Sequence, residues 1–321
     1  MTDRPVRARR SCLSVPGSSA KMMRKAQSLP ADQVFLDLED SVAPDAKIEA
    51  RALVVEALNG GDWSGKSRVV RINAAGTELA REDVRHVVGS AGANLDCIML
   101  PKAESADQLR WLDDLLTEIE RGEGLPVGGI GIEVLIESPA GVTHLESIAS
   151  SSRRIEALVF GAGDFMAAMK MPALTIGAPV AGQTDPLDTV MVMIAIAART
   201  HGLQVIDGPF ALIRDNDGYR RCAQRAARFG FDGKWALHPD QIGMANETFT
   251  PAQSDYDKAE LILEALDHFA SEAGGRRGAA MLGDEMIDEA SRKLATVTAN
   301  RGRLAGLRRT THFDPAQLTS S

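Results

Sequence analysis

Short runs of β-branched and aliphatic residues recur along the chain at fairly even intervals, and the stretches between them carry apolar positions at helical spacing. Eight such runs stand out: Cys12 to Val15, Val34 to Leu38, Arg68 to Ile72, Cys97 to Leu100, Gly131 to Ile136, Ala157 to Phe160, Gln204 to Ile206 and Lys234 to Leu237. They are mostly apolar without alternation, as strands covered on both faces are, and their alternation with helices implies a parallel sheet. Eight strand-helix units predict an α/β chain closed into a (β/α)8 TIM barrel. Beyond the eighth run, Ser254 or Asp255 can cap a helix reaching Ala270. Gly274, Gly275, Gly278 and Gly283 then interrupt the helical spacing before a second helix from Asp288 to Leu304. Residues 1–250 are therefore assigned to the barrel and 251–321 to C-terminal helices forming a hinged, lid-like appendage, with a frayed polar tail from Arg308.

Several runs end directly in polar or charged residues: LDLED, VVRIN, IMLPK, LIESP, VFGAGD and VIDGP. In β/α barrels the C-terminal strand ends and their loops build the active-site face, so these residues are expected to converge on one cavity. The chain has 321 residues, 44% hydrophobic and 25% charged, enough to bury a large core. A formal net charge of -8 argues against a nucleic-acid surface, which needs a concentrated basic patch. Cys12, Cys97 and Cys222 are isolated and lack CxxC spacing, so neither a disulfide framework nor a zinc site is indicated. No apolar run has the length of a signal peptide or a membrane span, so a cytoplasmic location is expected. Arg4, Arg7, Arg9 and Arg10 read as a solvated lead-in to the first strand.

Asp37, Glu39 and Asp40 stand at the end of the second run, Glu137 follows the fifth and Asp164 the sixth. Carboxylates gathered in one cavity repel unless a cation or shared protons compensate, and hard oxygen ligands favour magnesium. The competing reading is that each acid merely caps the next helix. Arg71 ends an apolar run, so its guanidinium either pairs with one of these acids or binds a substrate carboxylate or developing enolate. Lys102 could form a Schiff base, but neighbouring carboxylates favour its ammonium form. The loop VPGSSAKMMRKA places glycine, serines, Lys21, Arg24 and Lys25 at a helix start, which suits either a simple cap or phosphate binding. His238, followed by Pro239, can shape a turn or act as a base. Met166, Met169 and Met171 fit core filling better than an acyl pocket.

Taken together, RSCLSVPGSSAKMMRKA, LDLEDSVAPDAK, VVRIN, MLPKAES, LIESPAG, VFGAGDF, IDGPF, GFDGKWALHP and GDEMIDEAS resemble the citrate lyase beta-subunit-like family of CoA-ester lyases, in the phosphoenolpyruvate/pyruvate-type barrel superfamily, from about Arg10 to Leu304. The resemblance implies a lyase that cleaves citramalyl-CoA, malyl-CoA or β-methylmalyl-CoA to acetyl-CoA or propionyl-CoA and pyruvate or glyoxylate. It implies magnesium, with manganese as a substitute, held by Glu137 and Asp164. It gives Arg71 a place against the acyl group, has Asp37 and Asp40 order the metal's surroundings, and has Arg10, Lys21 and Lys25 contact coenzyme A. Asp288 would act as general acid or base in a neighbouring subunit's site, so a homotrimer or homohexamer is expected. The same scaffold also carries malyl-CoA thioesterases and the citrate lyase beta subunit, which works with an acyl-carrier partner.

Overall fold

A computed structural model describes residues 4–172, 174–177 and 185–314. The chain divides into two compact units, Met1–Thr248 and Phe249–Ser321. In the first, β1 (Ser11–Pro16), β2 (Gln33–Asp37), β3 (Ser67–Arg71), β4 (Cys97–Leu100), β5 (Gly131–Ile136), β6 (Ile155–Phe160), β7 (Gln204–Asp207) and β8 (Gly233–Ala236) pair in sequence order, and β1 pairs with β8 to close an eight-stranded barrel. The expected TIM barrel is what the chain forms.

The barrel closes because its interior can be filled. Cys12, Phe35, Val69, Cys97, Met99, Leu135, Ala157, Val159, Ile206 and Trp235 form one buried cluster. Large and small side chains interdigitate there: the Phe35 and Trp235 rings lie 4.4 Å apart among cysteines and alanine. Residues of the opposite strand parity pack outward under amphipathic helices. The helix Ala106–Gly122, for example, buries Leu109, Leu112, Leu115 and Leu116 and begins in a capping box between Ser105 and Gln108.

The N-terminal end of the barrel is plugged by charge. Arg9 is 1% exposed and bonds Glu133 at 2.8 Å and Glu156 at 2.6 Å, while Arg7 pairs with Asp96 and Glu156. These arginines are therefore not a solvated lead-in. Glu133 and Glu156 sit inside strands, and a buried carboxylate there requires a buried cation. All three cysteines are buried free thiols.

In the second unit, helices Gln253–Ala270 and Glu289–Leu304 pack through Ala259, Ile262, Leu266, Phe269, Ala295 and Ala299. Gly302 permits a close approach, since a Cβ there would lie 2.2 Å from the Tyr256 ring. Ala252 occupies the N-cap of the first of these helices without a side-chain bond, in place of the expected Ser254 or Asp255. The glycine-rich segment contains a hairpin, β9 (Ala280–Leu282) with β10 (Glu285–Ile287), turning at Gly283-Asp284 with Gly283 at φ +59°. Nor is the tail from Arg308 to Asp314 frayed. Thr310 bonds Asp257, Arg309 and the Phe313 N–H bond Glu264, and the Phe313 ring stands 6.0 Å from that of Phe269. Among the described residues no helix is long and apolar enough to cross a membrane.

Candidate active site

The apolar strands deliver polar residues at their C-terminal ends, where the ladder stops and side chains can turn into the barrel mouth. Asp37 ends β2 and Arg71 ends β3, paired in register. Arg71 makes a fork to Asp37, Nε to Oδ1 and Nη2 to Oδ2, both at 2.7 Å, and its Nη1 lies 3.0 Å from Glu39 Oε2. The guanidinium carbon stands 5.4 Å from the Trp235 ring centroid. Asp37 also accepts the N–H groups of Glu39 and Ser41. Burial works against its charge, yet the Arg71 fork and these N–H donors hold its carboxyl below the usual range. Arg71 is buried as well, and Asp37, Glu39 and Glu137 keep its pKa raised despite the desolvation.

A second group lies at the ends of β4 and β5. Lys102, two residues past the end of β4, takes a left-handed backbone at φ 51° and donates its N–H to Glu137 Oε1 at 2.7 Å. Its Nζ lies 2.6 Å from Glu39 Oε1 and 3.5 Å from Asp40 Oδ1. Desolvation opposes the ammonium, but Glu39 more than offsets it and raises its pKa, so Lys102 is unsuited to a Schiff base. Glu137, 5% exposed, has its pKa pushed up to about 8 by burial; the charges of Asp164 and Glu39 add to this, while the Lys102 N–H and Arg71 oppose it. Burial likewise raises Glu39. Gly161, after β6, makes room for the Glu137 side chain: a Cβ at that position would lie 2.5 Å from Glu137 Cβ and Oε2.

Asp164 occupies the first turn of helix Ala162–Ala168 and is exposed. Among the described residues no group of three or more His, Cys, Asp or Glu side chains is placed to enclose a metal ion. What the barrel mouth offers is a pair of oxygen donors, Glu137 and Asp164, the first of them too buried to hold its charge comfortably alone. Magnesium is commonly held by one or two carboxylates, with water and substrate filling the remaining positions, so these residues fit that ion.

Lys21 and Lys25 are exposed one turn apart on helix Ala20–Gln27, which follows the C-terminal end of β1. Ser19 caps this helix by accepting the Met22 N–H, and no acid occupies its first turn. Gly17 is required where the loop crosses β2, because a Cβ would sit 2.7 Å from the Asp37 carbonyl oxygen. Arg10 precedes β1 and so lies at the opposite end of the barrel, where it bonds Asp32 through its backbone N–H and Nε; the fold does not bring it to the strand-end acids. His238 bonds Asp240 at the start of its helix, as a turn residue does. Met166 is buried and Met169 is 50% exposed. Asp288, in the second unit, caps helix Glu289–Leu304 by accepting the Ala290 and Ser291 N–H groups, which hold its carboxyl below the usual range.

The geometry brings together Asp37, Arg71, Glu39, Lys102, Glu137 and, through its charge, Asp164. Gly161 carries no polar signal in the sequence, and only its place at a strand end beside GAGD could have singled it out.

The sequence profile of the HpcH/HpaI aldolase/citrate lyase family matches residues 10–239. An L-malyl-CoA/beta-methylmalyl-CoA lyase of Cereibacter sphaeroides is 41% identical over 310 residues, covering 94% of this chain and 96% of its own length. The enzyme of the same name from Rhodobacter capsulatus is 38% identical over 311 residues, with 94% and 96% covered. Among solved structures, protein CitE from Mycobacterium tuberculosis, in complex with magnesium, acetoacetate and coenzyme A, aligns at a TM-score of 0.69 and 26% identity, covering 91% of this chain and 97% of its own.

Proposed function

The chain belongs to the HpcH/HpaI aldolase/citrate lyase family, and from that premise we propose that it is a magnesium-dependent carbon-carbon lyase for short 3-hydroxyacyl-CoA esters, of the malyl-CoA and β-methylmalyl-CoA type. The observation that carries the reading is the buried Glu137 beside Asp164, a carboxylate pair that calls for a cation at the mouth of a barrel. Near full-length similarity to L-malyl-CoA/beta-methylmalyl-CoA lyases supports the substrate class.

Cleavage of malyl-CoA to acetyl-CoA and glyoxylate requires deprotonating a hydroxyl, holding the emerging oxo acid and stabilising a thioester enolate. Bound magnesium would supply Lewis acidity toward the substrate's hydroxyl and carboxylate oxygens. Glu137 and Asp164 would hold it. Arg71, fixed by Asp37 and Glu39, keeps a guanidinium at the barrel mouth to offset enolate charge. Asp37 and Asp40 shape that environment, the first by locking Arg71. Lys21 and Lys25 present cations suited to the phosphates of coenzyme A.

Asp288 is the proton carrier in this reading, supplied by a neighbouring subunit of a homotrimer or homohexamer. Its N–H donors favour the carboxylate, which takes a proton from the acetyl-CoA methyl in condensation and thereby becomes the acid that returns it to the enolate carbon in cleavage. Asn also serves well at an N-cap. Asp288→Asn is therefore expected to keep the fold and magnesium binding while turnover falls about 100-fold, as removal of a general acid-base does. Unchanged steady-state turnover would remove Asp288 from the mechanism.

Glu137 must be ionised to hold a cation, and its pKa is raised to about 8. Below that value protons compete with the ion; above it they do not. Magnesium affinity measured by calorimetry is thus expected to strengthen from pH 6 to 8 and then level off.

The function is tested with purified protein and malyl-CoA, β-methylmalyl-CoA and citramalyl-CoA, with and without magnesium. Metal-dependent glyoxylate or pyruvate, matched by acetyl-CoA or propionyl-CoA, supports the lyase and ranks the substrates. Release of free coenzyme A without an oxo acid would instead establish a thioesterase.

A further inference from the structure

Lys102 joins the two halves of the site, and none of the chemistry above uses it. Its backbone N–H donates to Glu137 Oε1 at 2.7 Å from a φ of 51°, a left-handed conformation that L side chains rarely adopt. The loop holds that conformation one residue beyond Pro101, which follows β4, and the next residue returns to the barrel through the Ala103 N–H bond to the Leu135 carbonyl. The Lys102 side chain reaches the other way. Its Nζ bonds Glu39 Oε1, and the second Glu39 oxygen faces Arg71, which is locked to Asp37. A single residue thus spans the ends of β2, β3 and β5. A non-glycine residue in strained backbone at a strand end is a feature that surrounding structure must hold in place.

We propose that Lys102 is a positioning residue with two separable jobs: its backbone N–H, aimed by the left-handed turn, fixes one oxygen of Glu137, and its ammonium fixes Glu39 and through it the guanidinium of Arg71. The inference rests on the lyase reading, in which Glu137 holds the metal and Arg71 faces the enolate. The two jobs separate because they use different atoms. Glycine adopts φ 51° without strain, so Lys102→Gly keeps the N–H aimed and deletes only the ammonium. Valine resists that conformation, so Lys102→Val turns the N–H away as well.

The test measures Mn2+ affinity by electron paramagnetic resonance, and turnover of malyl-CoA, on both variants. Lys102→Gly is expected to bind Mn2+ as the wild type does while kcat falls about tenfold; Lys102→Val is expected to lose about tenfold in Mn2+ affinity as well, the scale of losing a group that orients a metal ligand. Equal loss of Mn2+ affinity in both variants, or unchanged kcat in the glycine variant, overturns the proposal. If the valine variant does not fold, Lys102→Ala applies a milder form of the same backbone strain.

Amide hydrogen exchange on the metal-free protein separates this inference from the lyase reading. A Lys102 amide protected in the wild type and exposed in Glu137→Ala supports the clamp even if no Mn2+ binds, in which case the metal reading alone fails. An amide that exchanges equally fast in both proteins overturns the clamp whatever the protein binds.

Discussion

Glu137→Gln is expected to lower lyase turnover about 1,000-fold or more and to abolish measurable magnesium binding at millimolar concentrations, because an amide cannot supply the anionic oxygen that the ion requires. The fold should survive. Gln keeps the carbonyl that accepts the Lys102 N–H and fits the space left by Gly161. The metal-free variant should in fact resist denaturation better than the wild type at pH 8. The Glu137 pKa is raised to about 8 by burial, so the folded state holds this proton more tightly than the unfolded chain does. Its contribution to stability is fully present below the ordinary carboxylate range and is lost as pH rises through about 8. Gln carries no such charge. Urea titrations of the two metal-free proteins at pH 5 and pH 8 would check this, and equal pH dependence in both would show that Glu137 is not the strained group. Loss of turnover with magnesium affinity intact would place the ion elsewhere.

Arg71→Met is expected to damage both stability and chemistry. Arg71 is the shared partner of Asp37 and Glu39, and all three are buried. Removing one member of a buried ion pair strands the others, at a typical cost of about 3–5 kcal/mol. The same change removes the cation offered to the enolate, worth about 100-fold or more in turnover. Arg71→Lys separates the two effects. A lysine keeps a positive charge near Asp37 but cannot span both Asp37 oxygens and Glu39 at once, so stability should fall less while turnover stays low. Thermal unfolding and steady-state kinetics on the pair of variants read this out. Wild-type activity in Arg71→Lys would show that charge alone suffices and that the fork geometry is incidental.

The barrel was legible because each strand is a short apolar run that stops in a polar word such as LDLED or VFGAGD. Period, length and terminus all agreed there. The acids and Arg71 were legible as a group for the same reason: position at a strand end predicts convergence. How they pair was not. Arg71 and Asp37 are 34 residues apart and Lys102 and Glu39 are 63 apart, and no local pattern encodes which cation meets which acid. For the arginines before β1 the signal lies elsewhere in the chain, in Glu133 and Glu156, acids inside apolar strands that demand buried cations. The β9–β10 hairpin did leave a local trace, since Gly283-Asp284 is a two-residue turn pair. Three further glycines, Gly274, Gly275 and Gly278, make the same stretch look like simple interruption. The ordered tail leaves no local trace, because polar composition does not reveal that Arg309 and Thr310 find acids on helix Gln253–Ala270.

Carbon-carbon cleavage at a magnesium site is decided by the stoichiometry of products from malyl-CoA. With magnesium present, the wild type is predicted to release one glyoxylate for each acetyl-CoA with no free thiol, and to release neither after chelation of the metal. Free thiol and malate without glyoxylate, or cleavage that persists unchanged with a chelator, would contradict it.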